Sequence, residues 1–230
     1  MPDAPASPDL AVFDVDGTLV DSNYQHAIAW YRAFRRHGLT IPCWRIHRSI
    51  GMGGDNLVEH VAGKEVESSI GDELRSASGE EYRKLMPEVA PFGPARDLLK
   101  AVREAGLRLV LASSGKQYEV DHNLDLLDAR SLAEAWTSSD DAESSKPAPD
   151  ILQVAIGKVG GGTPIMVGDS VWDVEAANRI NVPTVCVRTG GFGADELREA
   201  GAAEVWDSLE ELATSLDKSI LGGARARSSA

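Results

Sequence analysis

Short apolar runs alternate with longer amphipathic stretches along most of this chain of 230 residues. The runs are LAVFDV (10–15), LRLVLAS (107–113), AEAWTS (133–138), PIMVGD (164–169), PTVCVR (183–188) and AEVW (203–206). Each is brief, continuous and rich in aliphatic residues, which predicts strands buried on both faces. Residues 94–105, 116–127, 148–159, 172–180 and 194–200 carry helical spacing between them. Strand, helix and strand in repetition predict crossover connections. The fold class is therefore α/β: a doubly wound, Rossmann-like parallel sheet with helices on both faces.

One stretch breaks this rhythm. Residues 21–91 hold no convincing strand, and segments 22–37, 54–62 and 65–85 read as helices. An insertion of roughly 70 residues is too long for a loop within a compact domain. It predicts a separate helical subdomain with hinges near Val20–Ser22 and Glu88–Gly93, set into a core built from 1–20 and 92–222. The first nine residues read as a loose arm. The last ten, LGGARARSSA, read as a frayed end, with 223–230 a disordered tail.

Composition narrows the class. Hydrophobic residues make up 43% and charged residues 26% of the chain, enough apolar material for a core without disulfides or a structural metal. Cys43 and Cys186 are far apart and form no CxxC pair, so reduced thiols in a cytoplasmic setting are expected. The start lacks the basic and apolar regions of a signal peptide, and no apolar run approaches the ~20 residues of a membrane span. The net charge of −13, with no basic stripe, argues against nucleic-acid and membrane partners and leaves a small molecule. An anionic substrate would need a locally positive site made by a cation and backbone amides. Nothing in the pattern fixes an oligomeric state.

Four segments carry chemistry. In VFDVDGTLVDS (12–22), Asp14 and Asp16 stand two apart at the carboxyl end of a strand, so period-two geometry turns both to one side before Gly17 breaks the strand. Two such carboxylates cannot both ionise comfortably unless a cation intervenes. With a metal on one, that one can serve as nucleophile and the other as general acid and then base. A pair of capping acids in a strand–helix turn is the alternative reading. In VGDSVWD (167–173), Asp169 at a strand end and Asp173 in the next helix offer the hard oxygen ligands that magnesium takes. Either acid alone is equally a helix-capping residue. LASSGK (111–116) places Ser113, Ser114 and Gly115 at a helix start, where hydroxyls and amides cradle anions. SKPAPD (145–150) fixes Lys146 beside a proline, where it can offset phosphate charge. All four lie at carboxyl ends of separate strands, the ligand-binding edge of open α/β sheets. Together they supply what in-line phosphoryl transfer requires.

In this order and with these offsets, the four segments resemble the haloacid dehalogenase-like (HAD) superfamily. The match spans nearly the whole chain, and the insertion is similar to that superfamily's C1-type mobile cap, in the phosphoglycolate phosphatase and β-phosphoglucomutase-like subgroup. The resemblance implies an Mg2+-dependent phosphohydrolase acting on a small phosphorylated metabolite. Asp14 would be nucleophile and metal ligand, and Asp16 the acid/base, giving its backbone carbonyl to the metal. Ser113 and Lys146 would hold the phosphoryl group, Ser114 and Gly115 lending amides. Asp169 would ligate the metal, with Asp173 helping from a second position. The loop IGMGG (50–54), through Gly51 and Gly53, would face the substrate.

Rival activities leave different traces. A dehalogenase would lack the second acid, and Asp16 is present. Phosphonate cleavage would need a Schiff-base lysine in the insertion, and Lys64 and Lys84 stand outside the loop expected to reach the site. A non-catalytic scaffold would have lost an acid, and none is missing. A β-phosphoglucomutase-like mutase is the alternative: DSNYQHAIAW (21–30), with His26 and Trp30, is similar to that group. Its arginine position, however, falls on Gly54, with Arg45 and Arg48 nearby but offset. His47, Arg45 and Arg48 could recognise a leaving group or lie on the surface.

Overall fold

A computed structural model describes residues 7–222 and places a parallel strand on each of the six apolar runs. These are β1 (Leu10–Phe13), β4 (Arg108–Ala112), β5 (Ala135–Thr137), β6 (Pro164–Gly168), β7 (Thr184–Val187) and β8 (Glu204–Trp206), in the order β5–β4–β1–β6–β7–β8. Val12 lies opposite both Val110 and Met166, which fixes the register at the centre. Successive residues then face opposite sides. Ala11, Phe13, Leu109, Leu111, Ile165 and Val167 join one apolar cluster, while Leu10, Val12, Val110, Ala112 and Met166 join another. Both faces are dry, which is why the strands read as unbroken apolar runs.

Helices α5 (Ala95–Glu104), α6 (Gln117–Leu126) and α10 (Leu209–Thr214) cover the first face through Leu98, Leu99, Val120, Leu124 and Leu212. Helices α7 (Asp150–Lys158) and α8 (Val171–Asn178) cover the second through Leu152, Ala155 and Ala177. Helix α9 (Ala194–Ala200) packs beside α8. The chain leaves β1 for β4 and β5 on one side, then returns to β6 on the other. The loops after β1, β4 and β6 therefore open together where the winding reverses.

The insertion contains α1 (Asn23–Arg36), α2 (Cys43–His47), α3 (Gly54–Ala62) and α4 (Lys64–Leu85) around an apolar cluster of its own, including Trp30, Phe34, Ile46, Leu57, Val61 and Leu74. Three of these helices match the sequence reading, with one change: α4 is interrupted at Ile70, whose φ of −140° is not helical. The short α2 and α10 were not foreseen.

The expectation of no strand here needs correcting at the two crossings. Val20–Asp21 (β2) and Ala90–Pro91 (β3) pair antiparallel, and Phe92 N–H donates to Leu19 C=O. Two-residue strands carry no periodicity, so only the meeting of both crossings reveals them. The termini are also partly tied down. Asp9 accepts from Thr163 N–H (2.5 Å), and Leu221 is fully buried in the first cluster. Residues 1–6 of the expected arm and the tail 223–230 lie outside the described residues. No helix among the described residues is long and apolar enough to cross a membrane.

Candidate active site

Phe13 ends β1, and the next residues turn back on Gly17, whose φ of +82° suits glycine. This turn buries Asp14 and sets the Thr18 hydroxyl between two acids, 3.1 Å from Asp14 Oδ2 and 2.9 Å from Asp169 Oδ1. One hydroxyl proton serves one of them at a time. Asp169 follows β6 and also accepts from Asn23 Nδ2 at 3.1 Å. A side chain on Gly190 would overlap the Asp169 carboxylate, so glycine is required there by space.

Lys146 is 1% exposed and pairs with both Asp14 and Asp173, the latter at 2.7 Å. Asp173 fits the capping reading of its position. Its Oδ2 accepts from Ser170 N–H (3.1 Å) and hydroxyl (2.6 Å) as a capping acid of α8, while Oδ1 faces Lys146. Burial pushes the Asp14 carboxyl up to about 7, with the Lys146 charge opposing and Asp173 adding. Burial, then the charges of Asp173 and Asp14, hold Asp169 well above the usual carboxylate range.

Asp14, Asp169 and Asp173 each present an oxygen, and these oxygens lie within 4.8 Å of one another. Fully ionised, these three carboxylates would outweigh the Lys146 ammonium and leave a buried excess of negative charge. Hard oxygen donors with such a deficit fit a divalent cation. Asp16 stands outside this cluster of side chains.

Asp16 has separate company. Ser22 hydroxyl (2.7 Å) and Asn123 Nδ2 (3.1 Å) donate to its Oδ1, His26 Nε2 lies 3.5 Å from the same oxygen, and Ser113 Oγ donates weakly to Oδ2 at 3.4 Å. Burial pushes this carboxyl up, but the His26, Ser22 and Asn123 contacts overcome it and hold Asp16 below the usual range. His26, correspondingly raised against its own burial by Asp16, stacks on Tyr82 with ring centroids 3.8 Å apart.

A cavity of about 360 Å³ opens beside these groups, lined by Asp14, Asp16, His26, Trp30, Gly51, Gly53, Arg75, Ser114, Gly115 and Lys116 among others. Ser113 lies just behind the wall, 1% exposed, and its Oγ accepts from Gly115 N–H at 3.0 Å. Gly51 and Gly53 line the cavity and also press against the core, next to Ser170 and Ser145. Arg45, His47 and Arg48 do not line it. They engage the His60 carbonyl, the Tyr24 ring and Glu196. Gly54 faces Trp30 and Arg75, and the Arg75 guanidinium is taken up by Glu67 and Asp72. Asn123 and Ser22 escaped the sequence reading because polar helix and turn residues carry no local signal. His26 had one, its place next to the first motif.

The chain is similar to known proteins. A profile of the haloacid dehalogenase-like hydrolase family matches residues 11–187. Phosphoglycolate phosphatase from Colwellia psychrerythraea is 25% identical over 220 residues, 91% of this chain and 97% of that protein. Validoxylamine A 7'-phosphate phosphatase from Streptomyces hygroscopicus subsp. limoneus is 27% identical over 199 residues, 83% of this chain and 90% of that protein. The crystal structure of a hydrolase from Pseudomonas syringae superimposes with a TM-score of 0.85 at 30% identity, covering 91% of this chain and 98% of that one. The chain belongs to the haloacid dehalogenase-like hydrolase family, in the group that includes the phosphoglycolate phosphatases.

Proposed function

We propose that this protein is a cytoplasmic, Mg2+-dependent phosphatase that hydrolyses a small phosphomonoester through a phosphoryl-aspartate on Asp14. The observation that carries this reading is the convergence of Asp14, Asp169, Asp173 and Lys146 on one buried point beside a cavity, with Asp16 held apart by its own donors. Relatives named as phosphatases over most of the chain support it.

In this reading Asp14, Asp169 and Asp173 would hold the ion, with the Asp16 carbonyl as a further ligand. When bound, Mg2+ neutralises charge on the phosphoryl oxygens. Asp14 attacks phosphorus in line, with Lys146 and Ser113 holding the phosphoryl group. Asp16, held below the usual carboxylate range before substrate binds, carries a proton in this reading once substrate is bound and gives it to the departing alkoxide oxygen. It then takes a proton from the water that attacks the acyl phosphate, returning Asp14 as a carboxylate and releasing inorganic phosphate. His26, Ser22 and Asn123 orient Asp16. The helical insertion acts as a cap, excluding bulk water and selecting the alcohol.

The test is phosphate release from a panel that includes phosphoglycolate, sugar phosphates and cyclitol phosphates. Wild type should be active with Mg2+, silent in EDTA and restored by added Mg2+. Asp14→Asn should lose ~10⁴-fold or more while melting as wild type does. Turnover by Asp14→Asn near the wild-type rate would end the covalent reading, and turnover in EDTA the metal one.

A further inference from the structure

The α3 end of the insertion is bonded to the stretch of core that carries Lys146. Asn56, in the first turn of α3, points its Nδ2 at Ser145 Oγ (2.9 Å), Ser145 C=O (3.0 Å) and Lys146 C=O (3.2 Å). The Ser145 hydroxyl in turn donates to Asp55 Oδ1 at 2.5 Å. An amide has two protons, so these acceptors saturate it, and Asn56 does not line the cavity.

Gly53, immediately before α3, has an ordinary extended backbone at φ −71°, yet a Cβ there would stand 2.5 Å from Ser145 Oγ. Glycine is needed for the approach of the two chains, not for the turn. On the other flank, a Cβ on Gly51 would lie 2.9 Å from Ser170 Oγ, and Trp172 Nε1 donates to Arg48 C=O at 3.2 Å. Residues 48–56 are thus seated against both the Lys146 segment and the Asp169–Asp173 segment.

We propose that Asn56 is a positioning residue that sets Lys146 through its main chain, so that seating of the insertion places the ammonium at the phosphoryl site. This rests on the reading of Lys146 as a phosphoryl anchor. Lys146 Nζ is enclosed between Asp14 and Asp173, so where it stands follows from where its own backbone stands. Asn56 holds that backbone by its carbonyl and by the residue before it. Because the contact reaches Lys146 and not the alcohol, its loss acts on every substrate alike.

The experiment compares Asn56→Asp, Asn56→Ala, Ser145→Ala and the Asn56→Ala/Ser145→Ala pair, with melting temperatures recorded for all. Asn56→Asp keeps the volume and turns two donors into acceptors facing acceptors. It should lower kcat/KM about tenfold or more, by one factor across phosphomonoesters with different alcohols. The inhibition constant of inorganic phosphate should rise in step. Ser145→Ala leaves both carbonyl acceptors and should lose least, and the pair should be no slower than Asn56→Ala alone. If Asn56→Asp does not fold, Asn56→Ala carries the same comparison. Unimpaired kcat/KM, or a loss that varies with the alcohol, overturns the inference. Lys146→Met is the control. If it is as active as wild type, the anchor reading itself fails. If it is inactive while the Asn56 variants are unimpaired, only the coupling fails.

Discussion

Two ion clusters flank the same cavity, each a cation held between two carboxylates. In the core, Lys146 stands between Asp14 and Asp173; in the insertion, Arg75 stands between Glu67 and Asp72, at 2.8 Å from each. Their surroundings differ. The Lys146 and Asp173 side chains are 1% exposed, whereas Arg75 is 26% and Asp72 97% exposed. Water screens the second cluster, so its charges need no further balance. Burial limits such screening for the first, where Asp169 adds another acid. A buried cluster of unbalanced charge is costly to fold and persists where chemistry uses it. The exposed one does architectural work: Arg75 and Glu67 bridge the break at Ile70, and Arg75 reaches the Gly54 carbonyl at 3.4 Å. Burial, more than residue type or number, separates the two roles.

The strongest way to break this comparison is Lys146→Met, which keeps the length and removes the charge. Activity should fall ~10²–10³-fold. Stability in chelator should fall by about 3–5 kcal/mol, because buried carboxylates are left without their cation. Added Mg2+ should recover much of that, since an ion bound only by the folded state stabilises it. Urea melts with and without Mg2+ read this directly. If Mg2+ stabilised neither wild type nor the variant, the acids would not form a cation site.

Arg75→Met probes the other cluster. It should cost about 1–2 kcal/mol, the scale of charged hydrogen bonds at a partly screened site. The Mg2+ response should be unchanged. Any loss of kcat/KM should vary with the alcohol, because Gly54 and Trp30 lie on the cavity wall away from the acids. A uniform loss would place Arg75 with the phosphoryl chemistry instead.

The same contrast explains what the chain disclosed. That Asp14, Asp16, Asp169, Asp173 and Lys146 would lie near one another was legible because each acid follows a strand at a short offset and Lys146 stands just before a proline, and the sheet does the rest. The four central strands were legible because both their faces are dry. Two partners of Asp16 were not: Ser22 and Asn123 come from a turn and a helix whose convergence is tertiary. Nor were α2, the β2–β3 pair or the break at Ile70, all too short to carry a period. Gly51 and Gly53 were read as facing the substrate. They line the cavity, and they also let residues 48–56 press against the core, a demand that only the folded neighbours Ser170 and Ser145 express.

Asp72→Ala should have the smallest effect of all. The carboxylate is almost wholly in water, and Arg75 keeps both Glu67 oxygens, at 2.8 and 2.9 Å, and the Gly54 carbonyl without it. An exposed pair one turn apart on a helix contributes little once salt screens it. Melting temperature and kcat/KM in physiological salt should match wild type within error. If Asp72→Ala instead slowed turnover as much as Arg75→Met, exposure would not be what divides the two clusters. The insertion's ion cluster would then have to be treated as part of the site, its acids included.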